Sequence, residues 1–340
     1  MDTLPFVSVI IPCYNEEKYV ARCLESILAG VYPQNRMEIL VVDGRSNDKT
    51  RDIIMEYSLR YPIIKLFDNP ERLKPHALNT GIRAAVGEII IRMDAHATYE
   101  KEYVSNSVRY LNEYSVENVG GIRKTLPSGD GIMAKSIAYS ISSSFAAGNA
   151  IYRIGAKEFK WVDTVFGGCY RRSLFEKIGY FNETLVRGQD REFNIRLQKA
   201  GGRILYAPDI VCNYYARSDL RRYIPWIFSA GLTPFFTSRL IGKLLFSWRN
   251  LAPPAFVVSL IALFFLSFIH SFFAWLFVFE VFIYIVSSIT AAIPVVRQEN
   301  DIRYFISMPL IFFLTHLFYG IGALTGFVKS KKDAGEWTKV

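Results

Sequence analysis

Cysteine is scarce: Cys13, Cys23, Cys169 and Cys212 are the only four in 340 residues, and no two make a CxxC pair. That spacing excludes a thiolate zinc site and the disulfide framework of a small secreted domain, leaving reduced, buried thiols. No glycine-rich phosphate loop is present, since neither GxGxxG nor GxxxxGKS follows the first apolar run. The N-terminus, MDTLPFVSVIIP, lacks the basic region, apolar core and cleavage site of a signal peptide, so the globular part is expected in the cytosol. Internal repeats and low-complexity tracts are missing as well. The net charge is +9, yet the first 200 residues carry no basic stripe with interleaved aromatics, which argues against nucleic acid as a partner.

The positive charge collects elsewhere. Arg217, Arg221, Arg222, Arg239, Lys243 and Arg249 precede a strongly apolar block, and Lys329, Lys331 and Lys332 follow it, as charge flanking a bilayer does. Within 252–295 almost every residue is uncharged, and about 20 such residues cross a bilayer. The composition predicts a globular domain over 1–220, amphipathic interfacial helices over 221–250, a transmembrane region over 251–328 with spans near 252–270, 273–295 and 304–328, and a basic tail over 329–340. Three spans would leave that tail on the far side, against the positive-inside tendency, unless His316 to Gly326 turns back as a re-entrant piece. The expected location is the cell membrane, multi-pass, with the globular domain cytosolic.

Residues 6–12, FVSVIIP, form a short β-branched run typical of a buried parallel strand, and a helical pattern follows in which Val20, Cys23, Leu24, Ile27 and Leu28 share a face. MEILVVDGRSNDKT repeats the idea, with a strand at 37–42 and a helix from about Asp48 to Arg60. IIKLFDN, PHALNTGIRAAVG and EIIIRMDA supply a third strand, a third helix and a fourth strand. Alternation of this kind predicts an α/β fold with a mostly parallel, Rossmann-like sheet. The weakly periodic stretch 120–160 predicts loops around GGIRKTLPSGDG and a helix over 132–147. Beyond it, a helix opens near Ser173, another runs from about Asp190 to Lys199, and a last strand lies at 203–207.

Ligands of such sheets bind beyond the carboxyl ends of the strands, which aligns Asn15, Glu16, Asp43, Asp48 and Asp94 along one crevice. Carboxylates there suit either a divalent cation that bridges phosphates or the hydroxyls and base of a nucleoside. A strand-end Asp is also an ordinary helix cap or turn former.

Four stretches in order, VSVIIPCYNEEKYVARCLESIL, ILVVDGRSNDKT, ALNTGIRAAVGEIIIRMDAHA and GQDREFNIRLQKAGGRI, resemble family 2 glycosyltransferases of the GT-A fold. RMDAHA, VDTVFGG and LVRGQD are similar to the succinoglycan-type, membrane-anchored glucosyltransferases. The resemblance implies a nucleotide-sugar pocket at Pro12, Asn15 and Glu16, a nucleoside reader at Asp43 with Asp48 in the same turn, and a segment facing the donor diphosphate at Lys74 and Asn79. It places Asp94 and His96 at the DxD position that holds donor and metal, Mn²⁺ or Mg²⁺, with imidazole replacing the second carboxylate and favouring Mn²⁺ if it ligates. Asp190 matches the catalytic base and also reads as the N-cap of its helix. Gln189 stands where the family usually has Glu, which removes like-charge repulsion and predicts an ionised Asp190. Arg217, Arg222 and Trp226 lie roughly where processive relatives carry QxxRW, with the glutamine missing; they read as acceptor-phosphate ligands or as anchors to anionic lipid.

The implied reaction is inverting transfer of a sugar, glucose from UDP first, to a hydroxyl of a polyprenyl-diphosphate-linked glycan. The competing readings are a polyprenyl-monophosphate sugar transferase and a non-catalytic nucleotide-binding membrane protein.

Overall fold

The structure is a computed structural model that describes residues 4–148, 150–185, 187–242, 244, 246 and 250–329. Lys243, Arg249, Lys331, Lys332 and all of the basic tail after Lys329 lie outside the described residues.

The chain opens with alternating elements: β1 (Val7–Cys13), α1 (Val20–Leu28), β2 (Met37–Asp43), α2 (Thr50–Arg60), β3 (Ile64–Asp68), α3 (Lys74–Ala84) and β4 (Ile89–Arg92). A short β5 (Ala97–Tyr99), α4 (Tyr103–Glu113) and β6 (Asn118–Leu126) come next, followed by three helices, α5 (Ile132–Ser142), α6 (Ser144–Ala147) and α7 (Ile151–Ile154). β7 (Lys160–Trp161), β8 (Cys169–Arg171), α8 (Arg172–Ile178), α9 (Gln189–Lys199) and β9 (Ile204–Tyr215) lead into α10 (Leu220–Ile241), α11 (Ala252–Leu266), α12 (Ser271–Glu299) and α13 (Tyr304–Val328). Two compact units result: one built from residues up to 124 and from 155–214, the other from 125–154 and from 215 onward.

In the first unit the strands lie in the order β3-β2-β1-β4-β8-β6-β9-β5, with β7 on β9. The half predicted from the alternation is parallel, β1 pairing with both β2 and β4, and β2 with β3. The other half is antiparallel, β8 against β4 and both β5 and β7 against β9. Val9, Ile11, Ile39 and Val41 pack with Val20, Leu24 and Ile54 on one face. Ile10, Leu40 and Ile90 face Leu78, Ile82, Phe175 and Phe193 on the other. Both faces of the central strands are therefore dry, which is why they read as unbroken apolar runs.

GGIRKTL, expected as loop, is strand β6. Its glycines mask the strand signal but are needed there: a Cβ on Gly121 would lie 1.9 Å from the Ile210 carbonyl oxygen. The last strand also runs longer than expected, to Tyr215.

In the second unit α12 and α13, with 29 and 25 residues, are long and apolar enough to cross a membrane. The span expected at 252–270 is shorter: α11 has 15 residues, roughly 22 Å at 1.5 Å per residue against a hydrocarbon core of about 30 Å. His270 ends that stretch by capping α12, its Nδ1 accepting from Phe272 N–H at 3.1 Å. His316 to Gly326 does not turn back. It continues α13, and its glycines serve close helix packing, since a Cβ on Gly322 would meet the Phe228 carbonyl of α10 at 2.1 Å and one on Gly231 the Tyr319 carbonyl at 2.1 Å. Of the segment expected at the interface, 221–241 is a single helix, α10, packed along α13. Polar groups on α12 and α13 have partners: His316 meets Tyr284 at 2.9 Å and the Phe145 carbonyl at 3.0 Å, and Glu280 accepts from Ser259 at 2.5 Å.

Candidate active site

The carboxyl ends of β1, β2 and β4 and the first turn of α9 bring together most of the residues singled out above. The loop after β1, in which Asn15 adopts a left-handed φ of 54°, is stitched to the loop after β2. Asn15 N–H donates to Ser46 Oγ at 2.8 Å and its side-chain oxygen accepts from Asn47 N–H at 3.0 Å, while Glu16 N–H donates to Thr50 Oγ1 at 2.8 Å. Asp48 closes the same stitch, accepting from Thr50 N–H at 3.0 Å and Glu17 N–H at 3.2 Å. Burial pushes its pKa up, but the Thr50 hydroxyl and these N–H donors outweigh that, and the carboxyl titrates below its ordinary value. Pro12 sits in β1 opposite Val42.

Asp43, expected to read a nucleoside, has a fully buried carboxylate. It accepts from Ser46 N–H at 3.0 Å, from the Ser46 hydroxyl, and from Arg51 at 2.8 Å; Arg51 also reaches Asp68 at 2.7 Å. Asp43 thereby holds Arg51 at the end of β2. Asn79 is buried. Its amide is spent on Phe181 N–H (3.0 Å), the Phe181 carbonyl (2.8 Å) and Glu183 (2.8 Å), so it fastens α3 to the segment before α9.

Asp94 lies at the centre. Its Oδ1 accepts from Lys74 Nζ at 2.7 Å and from Arg92 Nη2 at 3.0 Å. Burial raises its pKa, but the two cations more than offset this and hold the carboxyl well below the usual range. Its backbone is fixed by Tyr99, whose hydroxyl accepts from Asp94 N–H at 2.6 Å. Arg92, only 4% exposed, turns its other Nη to Asp190 and so joins Asp94 to the expected base. Asp190 does not cap its helix: α9 begins at Gln189 with Gly188 at the N-cap, in the left-handed region. Gln189 is buried. His96 places Nδ1 2.8 Å from Glu16 Oε2 and its ring 3.6 Å, centre to centre, from that of Tyr19.

Arg217, Arg222 and Trp226 belong to the second unit. Arg217 stacks over Trp226 at 5.0 Å, and Asp219 caps α10 by accepting from Arg222 N–H at 3.0 Å.

Arg92 and Arg51 are the residues that strand and motif reasoning missed. The signal for Arg92 was a charge closing the apolar run IIIR, because a buried guanidinium demands carboxylate partners.

The profile described as Glycosyl transferase family 2 matches residues 8–179, just over half of the chain. The chain belongs to glycosyl transferase family 2. This family 2 transferase is 31% identical, over 95% of its own length and 98% of the relative's, to the dolichyl N-acetyl-alpha-D-glucosaminyl phosphate 3-beta-D-2,3-diacetamido-2,3-dideoxy-beta-D-glucuronosyltransferase of Methanococcus voltae. It is 28% identical to the succinoglycan biosynthesis protein ExoA of Rhizobium meliloti, over 62% of this chain and 64% of that protein. The mannosyltransferase PcManGT of Pyrobaculum calidifontis, solved in complex with GDP-Man and Mn²⁺, shares the fold: TM-score 0.59, 22% identity, covering 96% of this chain and 88% of that one. The transferase is therefore a glycosyltransferase with a GT-A fold.

The family's divalent metal can be tested against the side chains present. Among the described residues no three carboxylates, imidazoles or thiols converge on one point. Asp94 offers its Oδ2 and His96 its Nε2, since hydrogen bonds occupy only the other atom of each. That donor set fits a cation held by one or two protein ligands and otherwise by phosphate oxygens and water, a common arrangement for Mg²⁺ and Mn²⁺ on nucleotides.

Proposed function

We propose that the protein is a membrane-anchored, inverting glycosyltransferase that moves one sugar from a nucleoside diphosphate sugar to a hydroxyl of a polyprenyl-linked sugar during glycan assembly. The observation that carries this is the line Lys74, Asp94, Arg92, Asp190, in which a cation-flanked carboxylate suited to the donor is bonded through one guanidinium to a carboxylate suited to the acceptor. The name of the Methanococcus voltae relative supports the acceptor class, because it describes attachment to position 3 of a sugar already on a dolichyl phosphate. A lipid-linked sugar on a mono- or a diphosphate then both become acceptors to test.

In this reading Asp190 takes the proton of the acceptor hydroxyl, the hydroxyl oxygen bonds to the anomeric carbon, and the bond from that carbon to the diphosphate oxygen breaks on the opposite face, with inversion. Lys74 meets the diphosphate. Pro12, Asn15, Glu16, Asp48 and the Asp43–Arg51 pair shape the nucleoside end. Asp94, with His96, would hold a divalent metal, which would supply charge neutralisation for the departing diphosphate. Arg217, Arg222 and Trp226 take the lipid phosphate at the bilayer surface. With α12 and α13 as the crossing helices, the basic segments before and after them fall on one side, as the positive-inside tendency asks.

Purified protein in detergent, given UDP-glucose, UDP-N-acetylglucosamine and GDP-mannose with polyprenyl mono- and diphosphate sugars, and with Mg²⁺, Mn²⁺ or chelator, tests the reading. A single sugar added to the acceptor sugar's hydroxyl is expected. Transfer to a free polyprenyl phosphate would favour the rival transferase, and nucleotide binding without turnover a binding protein.

A further inference from the structure

Arg92 is a cation set where the strand is otherwise apolar, and its backbone leaves it no freedom. Its N–H donates to the Gly168 carbonyl at 3.0 Å, and the next N–H, of Met93, donates to the Ile10 carbonyl at 2.9 Å, so β1 and the residue just before β8 clamp the strand end from both sides. From there the guanidinium reaches two carboxylates of separate segments, Asp94 in the loop after β4 and Asp190 in the first turn of α9. Together with Lys74 the four groups alternate in charge and sum to zero. Removing either carboxylate leaves the buried guanidinium with a single carboxylate partner, which costs stability. The arrangement also suits arginine: one Nη donates to Asp94 while the other is ion-paired with Asp190, and a single lysine ammonium on a flexible stem cannot hold both carboxylates in fixed orientation.

We infer that Arg92 is a positioning residue that fixes the orientation of the Asp190 carboxylate and ties it to the donor-side carboxylate Asp94. The inference rests on the reading of Asp190 as the base. Arg92 acts through Asp190 and not on the sugar, so its loss falls on turnover and leaves donor affinity largely intact.

The test compares wild type, Arg92→Lys, Arg92→Ala and Asp190→Asn in steady-state transfer with the three nucleotide sugars and lipid-linked acceptors named above. Arg92→Lys is expected to lower kcat about 100-fold, the usual consequence of misplacing a reacting group by about 1 Å, with donor KM within about threefold of wild type. Added guanidinium is expected to restore at least about tenfold of the lost kcat to Arg92→Ala and nothing to Asp190→Asn. Wild-type kcat in Arg92→Lys, or a loss carried by donor KM, overturns the inference. Wild-type turnover in Asp190→Asn overturns the base reading and this inference with it; an inactive Asp190→Asn beside a fully active Arg92→Lys overturns this inference alone. Should the Arg92 variants fail to fold, the melting temperature of Asp190→Asn decides: a fall is expected because Arg92 loses a partner, and an unchanged value refutes the bridge.

Discussion

Replacing Asp94 by Ala should destabilise the protein even with no nucleotide or metal present, and the size can be worked from its two ion pairs. Lys74 is about one-third exposed, so its ammonium turns to water when the carboxylate goes, a loss of about 0–1 kcal/mol. Arg92 has no such escape at 4% exposure, and losing one hydrogen bond between charged groups costs about 1.5–3 kcal/mol. The sum, about 3 kcal/mol, lowers the melting temperature by roughly 6–12 °C for a domain of this size. Asp94→Asn keeps a neutral acceptor and should lose about half as much. Differential scanning fluorimetry in detergent with chelator measures this without involving catalysis. If Asp94→Ala melts within a degree of wild type, the Arg92–Asp94 pair is not formed in solution, and the charge line on which the site is built falls with it.

Two further predictions concern the scaffold. Glu38, buried between β1 and β2, accepts from Ser8 Oγ at 2.6 Å, Val86 N–H at 2.8 Å and Lys65 Nζ at 2.9 Å. Burial raises its pKa, but the donors lower it by more, and the net shift is downward. A carboxyl depressed in the folded state stabilises above its unfolded pKa of about 4.3 and loses that contribution as pH falls through the folded value. Glu38→Gln should therefore cost about 1–3 kcal/mol at pH 7, with the gap to wild type narrowing below about pH 4 in urea titrations; a gap independent of pH would refute it. Gly121→Ala should cost about 3 kcal/mol, because the new Cβ meets backbone carbonyls at Ile210 and Ala207 that cannot turn aside, and a wild-type melting temperature would contradict that packing.

The parallel half of the sheet was legible in the sequence for a physical reason. Strands dry on both faces write continuous apolar runs, and two of them end in residues that matter, β2 in Asp43 and β4 in Arg92 with Asp94 just beyond. The antiparallel half was not, because β6 carries glycines where β9 crosses closely, and a strand of close approach looks like loop. At the site, Lys74 and Asp94 were named from motif and form an ion pair, whereas Asn79, from the same motif, bonds Phe181 and Glu183. Asp43 and Arg51 show the same limit. A strand-end carboxylate is visible in sequence, but the arginine eight residues on that covers it depends on how α2 lies against the strand. In the apolar C-terminal region, composition marked the helices, while length separated α11 from the two that can cross.

The central claim, transfer to an acceptor hydroxyl with Asp190 as base, is tested most directly by Asp190→Asn. The measurement is single-sugar transfer from the productive nucleotide sugar to a lipid-linked acceptor sugar, with binding of the same nucleotide sugar followed in parallel. A fall in turnover of about 10²–10⁴-fold at nearly unchanged donor affinity is predicted. Turnover within a few-fold of wild type would contradict it.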